Sequence, residues 1–208
     1  MIGIFGGTFD PIHYGHLRPA LDVQQALGLS EVRFIPLAVA VHRGQPAGSA
    51  EQRLAMVRAA IDGQPGFVAD DREIRRGGRS YTLDTLTEIH AEHPGAPLCL
   101  FVGGDAFSDF LTWHQPQDIL RLAHLIVMTR PGSQTNHTGE LARLAQERGC
   151  QDPAQLGASE AGRILFQPVT QLDISGTRIR QLVGAGKDVR FLLPDAVHDM
   201  IRRDKLYR

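Results

Sequence analysis

The run IGIFGGTFDPIHYGH, residues 2–16, decides how the rest of the chain is read. Residues 2–5 are apolar and stop at Gly6-Gly7, the pattern of a short buried parallel strand. Glycines after a strand let backbone N–H groups approach an anion closely, and a helix starting just beyond points its positive end at the same place. His13 and His16 stand three apart at the start of that helix, which puts both rings on one face. Strand, glycine turn and a helix headed by two imidazoles make a cradle for phosphate. The glycines are not spaced as GxGxxG and no GK[ST] follows, so neither a dinucleotide fingerprint nor a P-loop is supported. HxxH lacks the glutamate and third ligand that zinc would need. Read alone, the two histidines also fit simple capping or packing.

Working outward, Leu17, Ala20, Leu21 and Leu27 recur at helical spacing over residues 16–27, and Gly28 ends them. Pro19 fits such a helix only in its first turn. Residues 32–36 (VRFIP) read as a second strand and residues 67–74 as a third. Between them Ser49 and Gln52 form a capping box that opens a helix through Leu54, Val57 and Ile61. Thr82 reads as the cap of a helix carrying Leu83, Leu86 and Ile89. Residues 97–103 (PLCLFVG) form a buried strand running into Gly103-Gly104-Asp105, with a short helical region after it. Residues 124–128 (HLIVM) are the next strand. Residues 131–163 are a polar excursion with at most one helix, near 140–147, and residues 164–166 a last short strand. Ser175 reads as an N-cap with Ile174 and Ile179 at the staple positions, and residues 196–207 as an amphipathic tail.

Strands alternating with helices predict right-handed crossovers and an α/β, doubly wound, mostly parallel Rossmann-like sheet with helices on both faces. No repeat or linker divides the chain, so residues 1–208 read as a single domain whose part from about 174 to 208 is helical. Ligands of such sheets bind beyond the carboxyl ends of the strands at the switch point, where Gly6-Gly7 and Gly103-Gly104-Asp105 both fall.

Charge narrows the partners. Lys and Arg total 22 against 23 Asp and Glu, a formal net charge of −1, so there is no basic footprint for nucleic acid and any anion is handled locally. Cys99 and Cys150 stand in no metal-type spacing, which suits a reducing cytoplasm. No signal peptide and no apolar run of bilayer length is evident, and no membrane partner is expected. A homo-oligomer is left open.

Two motifs carry a resemblance. GGTFDPIHYGH resembles the (H/T)xGH signature of the nucleotidyltransferase superfamily, with His13-Tyr14-Gly15-His16 as HxGH, and ISGTRIR (residues 174–180) resembles its second signature, ISxTxxR. SYTLDTL (residues 80–86), GGD with LTWHQPQDIL (residues 111–120), HLIVMTRPG (residues 124–132) and the ending LLPDAVHDMIRRDKLYR are similar to bacterial nicotinate-nucleotide adenylyltransferases over nearly the whole chain. Val41 and Arg79 stand where that family commonly has proline.

The resemblance implies transfer of AMP from ATP to nicotinate mononucleotide, giving deamido-NAD and pyrophosphate, with Mg²⁺ accompanying ATP and no metal held by the protein. It implies catalytic roles for His13, His16 and Arg180. It draws the ATP side from Gly6, Gly7, Thr8, Phe9, His13, His16, Gly103, Asp105, Ile174, Ser175, Thr177 and Arg180. The nicotinate mononucleotide side is drawn from Gly7, Thr8, His42, Arg43, Tyr81, Thr82, Trp113, His114 and Arg130, with Trp113 as a platform for the pyridine ring. Asp10 is expected to order its loop rather than act as a base. A nicotinamide mononucleotide adenylyltransferase and a catalytically idle nucleotide sensor of the same fold are the alternatives.

Overall fold

The computed structural model describes residues 1–39, 45–130 and 138–208. Among these, the strands are β1 (Ile2–Gly7), β2 (Glu31–Pro36), β3 (Phe67–Ala69), β4 (Leu98–Gly103), β5 (His124–Thr129), β6 (Gly149–Cys150) and β7 (Ile164–Pro168). They form one seven-stranded sheet in the order β3-β2-β1-β4-β5-β7-β6. Every pairing is parallel, so the sheet is wholly rather than mostly so. The helices are α1 (Tyr14–Leu27), α2 (Ala50–Ile61), α3 (Arg72–Arg76), α4 (Thr82–Glu92), α5 (Gly104–Ser108), α6 (Pro116–Leu122), α7 (Gly139–Arg148), α8 (Ala154–Gly157), α9 (Gly176–Gly184) and α10 (Asp195–Arg203).

Central strands alternate between two apolar cores, as the period of two requires when both faces are covered. Phe5, Cys99, Phe101, Ile126 and Met128 face Val23 of α1, Met56 and Val57 of α2, Ile179 of α9 and Val197 and Ile201 of α10. Ile2, Ile4, Leu98, Leu100, Val102, Leu125 and Val127 face Leu86 and Ile89 of α4, Phe107, Ile119 and Leu141. From β1 the chain winds outward through β2 and β3, then returns to β4 beside β1 and winds the other way. The carboxyl ends of β1 and β4 therefore flank the switch point, and Gly6-Gly7 and Gly103-Gly104-Asp105 lie there as expected.

Several local expectations need correction. Pro19 lies in the second turn of α1, not the first, because that helix begins at Tyr14. Its first turn is tight, with the amides of His16 and Leu17 both donating to the His13 carbonyl. The third strand stops at Ala69. Asp70 accepts from the Arg72 amide through Oδ1 and turns the chain into α3, so Ile74 is helical. Thr82 is the first residue of α4, whose cap position is Tyr81. The excursion holds α8 and the short strand β6 besides α7. The capping box at Ser49 and Gln52 forms in full. Residues 131–137 lie outside the described residues, as do His42 and Arg43.

Candidate active site

The helix start is built by sterics. Phe9 takes a left-handed backbone conformation (φ 48°) and lays its ring over Gly7, where a Cβ would sit 2.9 Å from ring carbons. That ring is 1% exposed and meets Phe5 edge-on at 5.6 Å and His16 at 5.2 Å. His13 is the N-cap of α1 in extended conformation, and its imidazole stacks on that of His16 with centroids 3.8 Å apart and planes 26° apart. The pair thus share one face, as the i, i+3 spacing predicts. His13 is buried, and its Nδ1 has no hydrogen-bond partner among the described residues. Burial lowers its pKa to about 4, so at neutral pH the ring is uncharged and carries one N–H. Gly6 is open, with nothing within 4 Å of where a Cβ would be.

The second motif meets the first directly. A Cβ on Gly15 would lie 2.9 Å from both His13 Nδ1 and the Ile174 carbonyl oxygen, so only glycine permits this approach. Ser175 caps α9 by accepting the Arg178 amide at 3.2 Å, and Ile174 and Ile179 flank it against the same core. Arg180 Nη1 donates to the Asp10 carbonyl at 2.6 Å, and Nη2 to Thr177 Oγ1 at 3.4 Å. His13, His16, Ile174, Ser175, Thr177 and Arg180 are therefore parts of one assembly of two helix N-termini, each end carrying partial positive charge. Arg178 is exposed.

Asp10 orders this assembly, as expected. Its Oδ2 accepts from the Ala47 amide at 2.8 Å, and its Oδ1 from the Gly48 amide at 3.0 Å and the Tyr207 hydroxyl at 2.8 Å. Burial, and then the Asp10 carboxylate, push the Tyr207 phenol well above its ordinary range. Arg53, 1% exposed, donates to the carbonyls of Thr8 (2.9 Å), Leu37 (2.7 Å) and Gly48 (3.2 Å). Sequence reasoning missed Arg53 and Tyr207. Arg53 did leave a signal, since it falls on the apolar stripe of α2 with Met56, Val57 and Ala60 at i+3, i+4 and i+7.

Across the switch point, Gly103 and Gly104 have open space at their Cβ positions, and Asp105 is exposed in the first turn of α5. Tyr81 and His114 come together with ring centroids 4.6 Å apart, joining the start of α4 to the segment before α6. Trp113 is half-buried against Phe110 at 5.6 Å, so it both packs and leaves part of its ring accessible. Thr82 opens α4 next to Tyr81. Ser80 Oγ accepts the Ala38 amide at 3.0 Å and links this group to the end of β2. Arg130, just past β5, donates from Nε to Gln171 Oε1 at 2.9 Å.

A wholly parallel doubly wound sheet with HxGH and ISxT helix starts at its switch point defines a nucleotidyltransferase, and the Cytidylyltransferase-like family model matches residues 4–182. Relatives named "Probable nicotinate-nucleotide adenylyltransferase" align end to end. That of Aeromonas hydrophila is 47% identical over 100% of this chain and 97% of its own length. That of Methylococcus capsulatus is 46% identical over 100% and 99%. The chain belongs to the nicotinate-nucleotide adenylyltransferase family. The fold is also that of the Plasmodium falciparum nicotinic acid mononucleotide adenylyltransferase solved in complex with NaAD, with TM-score 0.71, 18% identity and coverage of 99% and 96% of the two chains.

Proposed function

We propose that the protein transfers AMP from ATP to nicotinate mononucleotide, releasing pyrophosphate and forming deamido-NAD. The observation that carries this reading is the contact of Gly15 with Ile174, which joins two helix N-termini and two imidazoles into one anion-binding face at the switch point. A phosphate oxygen of the mononucleotide attacks the α-phosphorus of ATP, a new P–O bond forms, and the bond to the β-phosphate oxygen breaks. The nucleophile is already anionic at neutral pH, so the site needs no general base. Catalysis then consists of aligning two polyanions and stabilising charge as it moves onto the leaving pyrophosphate.

In this reading His13 and His16 donate to the ATP phosphates, with His16 acting chiefly on the α-phosphate in the transition state. A neutral His13 supports donation rather than ion pairing. Gly6, Gly7, Thr8 and Phe9 line the strand end where the two substrates meet. Ser175, Thr177 and Arg180 hold the β- and γ-phosphates, and Gly103 and Asp105 the ribose side. Tyr81, Thr82, Trp113 and His114 form the pyridine pocket, with main-chain amides donating to the nicotinate carboxylate. Such amides leave the NH₂ of a carboxamide unmatched, which favours the acid. Mg²⁺ enters chelated by the triphosphate. No group of three or more His, Cys, Asp or Glu that could hold a metal ion occurs among the described residues.

The test is pyrophosphate release with ATP and Mg²⁺, comparing nicotinate mononucleotide with its nicotinamide counterpart. Release with the acid at a kcat/KM at least about tenfold higher supports the reading. Equal rates would overturn the selectivity, and no release with either would leave a nucleotide sensor.

A further inference from the structure

Arg180 stands between two anions: the phosphates it is proposed to bind and the Asp10 carboxylate. Its Nη1 lies 3.7 Å from Asp10 Oδ2, beyond hydrogen-bond range, while the same nitrogen donates to the Asp10 main-chain carbonyl at 2.6 Å. The carboxylate is thus within ion-pair distance of the guanidinium but accepts no hydrogen bond from that nitrogen. Among the described residues three other donors occupy that carboxylate, namely the Ala47 and Gly48 amides and the Tyr207 hydroxyl. The two amides belong to the chain leading into α2 and are fixed by it. Of these three, the phenol comes from elsewhere, from Tyr207 beyond α10.

The tail is built to deliver it. The Leu206 amide donates to Ile201 at the end of α10, and Tyr207 takes a left-handed conformation with φ 64°. Its ring packs partly against the core shared by α9 and α10. Its carbonyl oxygen would lie 3.4 Å from a Cβ on Gly184, the last residue of α9. The tail therefore folds back along the helix that carries Arg180 and reaches Asp10.

We propose that Tyr207 is a positioning residue for Arg180: by donating to Asp10 it keeps the carboxylate satisfied and leaves the guanidinium available to ATP. An ionised carboxylate offers about four acceptor positions, and a buried one stripped of a donor recruits the nearest replacement. Arg180 is that replacement. Its swing from the carbonyl to the carboxylate would withdraw it from the phosphates. The inference rests on the adenylyltransferase reading, which places ATP phosphates at Arg180.

The experiment is a double-mutant cycle of Tyr207→Phe and Arg180→Ala, read by steady-state kinetics and by calorimetric ATP binding. Tyr207→Phe keeps the ring and is expected to raise KM and Kd for ATP about tenfold while leaving KM for nicotinate mononucleotide within about twofold. In the Arg180→Ala background the same change is expected to have no further effect on ATP. Urea unfolding of each variant, with ATP binding read per folded molecule from the calorimetric stoichiometry, keeps the comparison valid where the Phe protein folds poorly. Equal effects in both backgrounds, or equal effects on both substrates, would overturn the proposal. Failure of the wild-type chain to make pyrophosphate from these substrates would instead overturn the functional reading.

Discussion

Gly15 of α1 and Ile174 before α9 are in contact at a distance that excludes a side chain, 2.9 Å from a would-be Cβ to the Ile174 carbonyl oxygen. The two sequence motifs, distant along the chain, are held in register by that approach. Gly15→Ala is expected to destabilise the protein by about 1–3 kcal/mol, the range for overpacking a close contact. It should also lower kcat/KM by at least about tenfold, since the two helix starts would move apart. Urea unfolding and steady-state kinetics on one preparation check both, and unchanged values would mean the helices are joined elsewhere.

His16→Ala tests the charge-stabilising role. The loss of one donor directed at the transition state lowers kcat by about 10²–10³. A change confined to KM for ATP would show that the ring binds only the ground state.

The stacked partner makes a different prediction. Burial lowers the His13 pKa from 6.5 to about 4, so between those values the unfolded chain binds a proton that the folded chain does not. Stability therefore rises with pH across that window, is fully present above about 6.5, and is lost as pH falls toward 4. The span corresponds to about 3 kcal/mol. Glu73, whose pKa burial raises, acts in the opposite sense, so the comparison is made against His13→Asn. Chemical denaturation from pH 4 to 7 should show a steeper rise for the wild type than for the variant. Parallel curves would mean that His13 titrates normally in the fold.

What the sequence disclosed follows the range of the interactions. The Ser49 capping box, the Ser175 cap and the glycine turn after β1 are each written within a few residues, so composition and spacing reveal them. Helix α3 was missed because DDREIRR carries no apolar period, and its turn depends on one side chain, Asp70, closing on the Arg72 amide. The site divides the same way. His13 and His16 were legible from their spacing, and their stacking followed. The hub beneath them was not, because Asp10 reaches Gly48 and Tyr207, and no local pattern links positions 10, 48 and 207. The residues proposed for the pyridine side came from the family resemblance alone, and Tyr81 and His114 among them are in contact without any sequence proximity.

Arg53 carries the last prediction. It is almost wholly buried, yet its guanidinium meets three main-chain carbonyls and no carboxylate within ion-pair distance among the described residues. Those carbonyls belong to Thr8 in the glycine turn, Leu37 after β2 and Gly48 before α2, so one side chain fastens three loops under the site. Replacement by methionine fills the volume but leaves three acceptors without their donor. Each buried, unsatisfied polar group costs about 1–3 kcal/mol, less where water can reach it. Arg53→Met is therefore expected to lose at least about 3 kcal/mol of stability, and Arg53→Lys somewhat less, since one ammonium cannot span all three carbonyls. Because Thr8 belongs to the proposed phosphate site and the Gly48 amide donates to Asp10, kcat/KM per folded molecule should fall for both variants. Urea unfolding at fixed pH, with active-site titration to count folded enzyme, separates the two effects. A loss below about 1 kcal/mol for Arg53→Met would show that water replaces the guanidinium at the carbonyls.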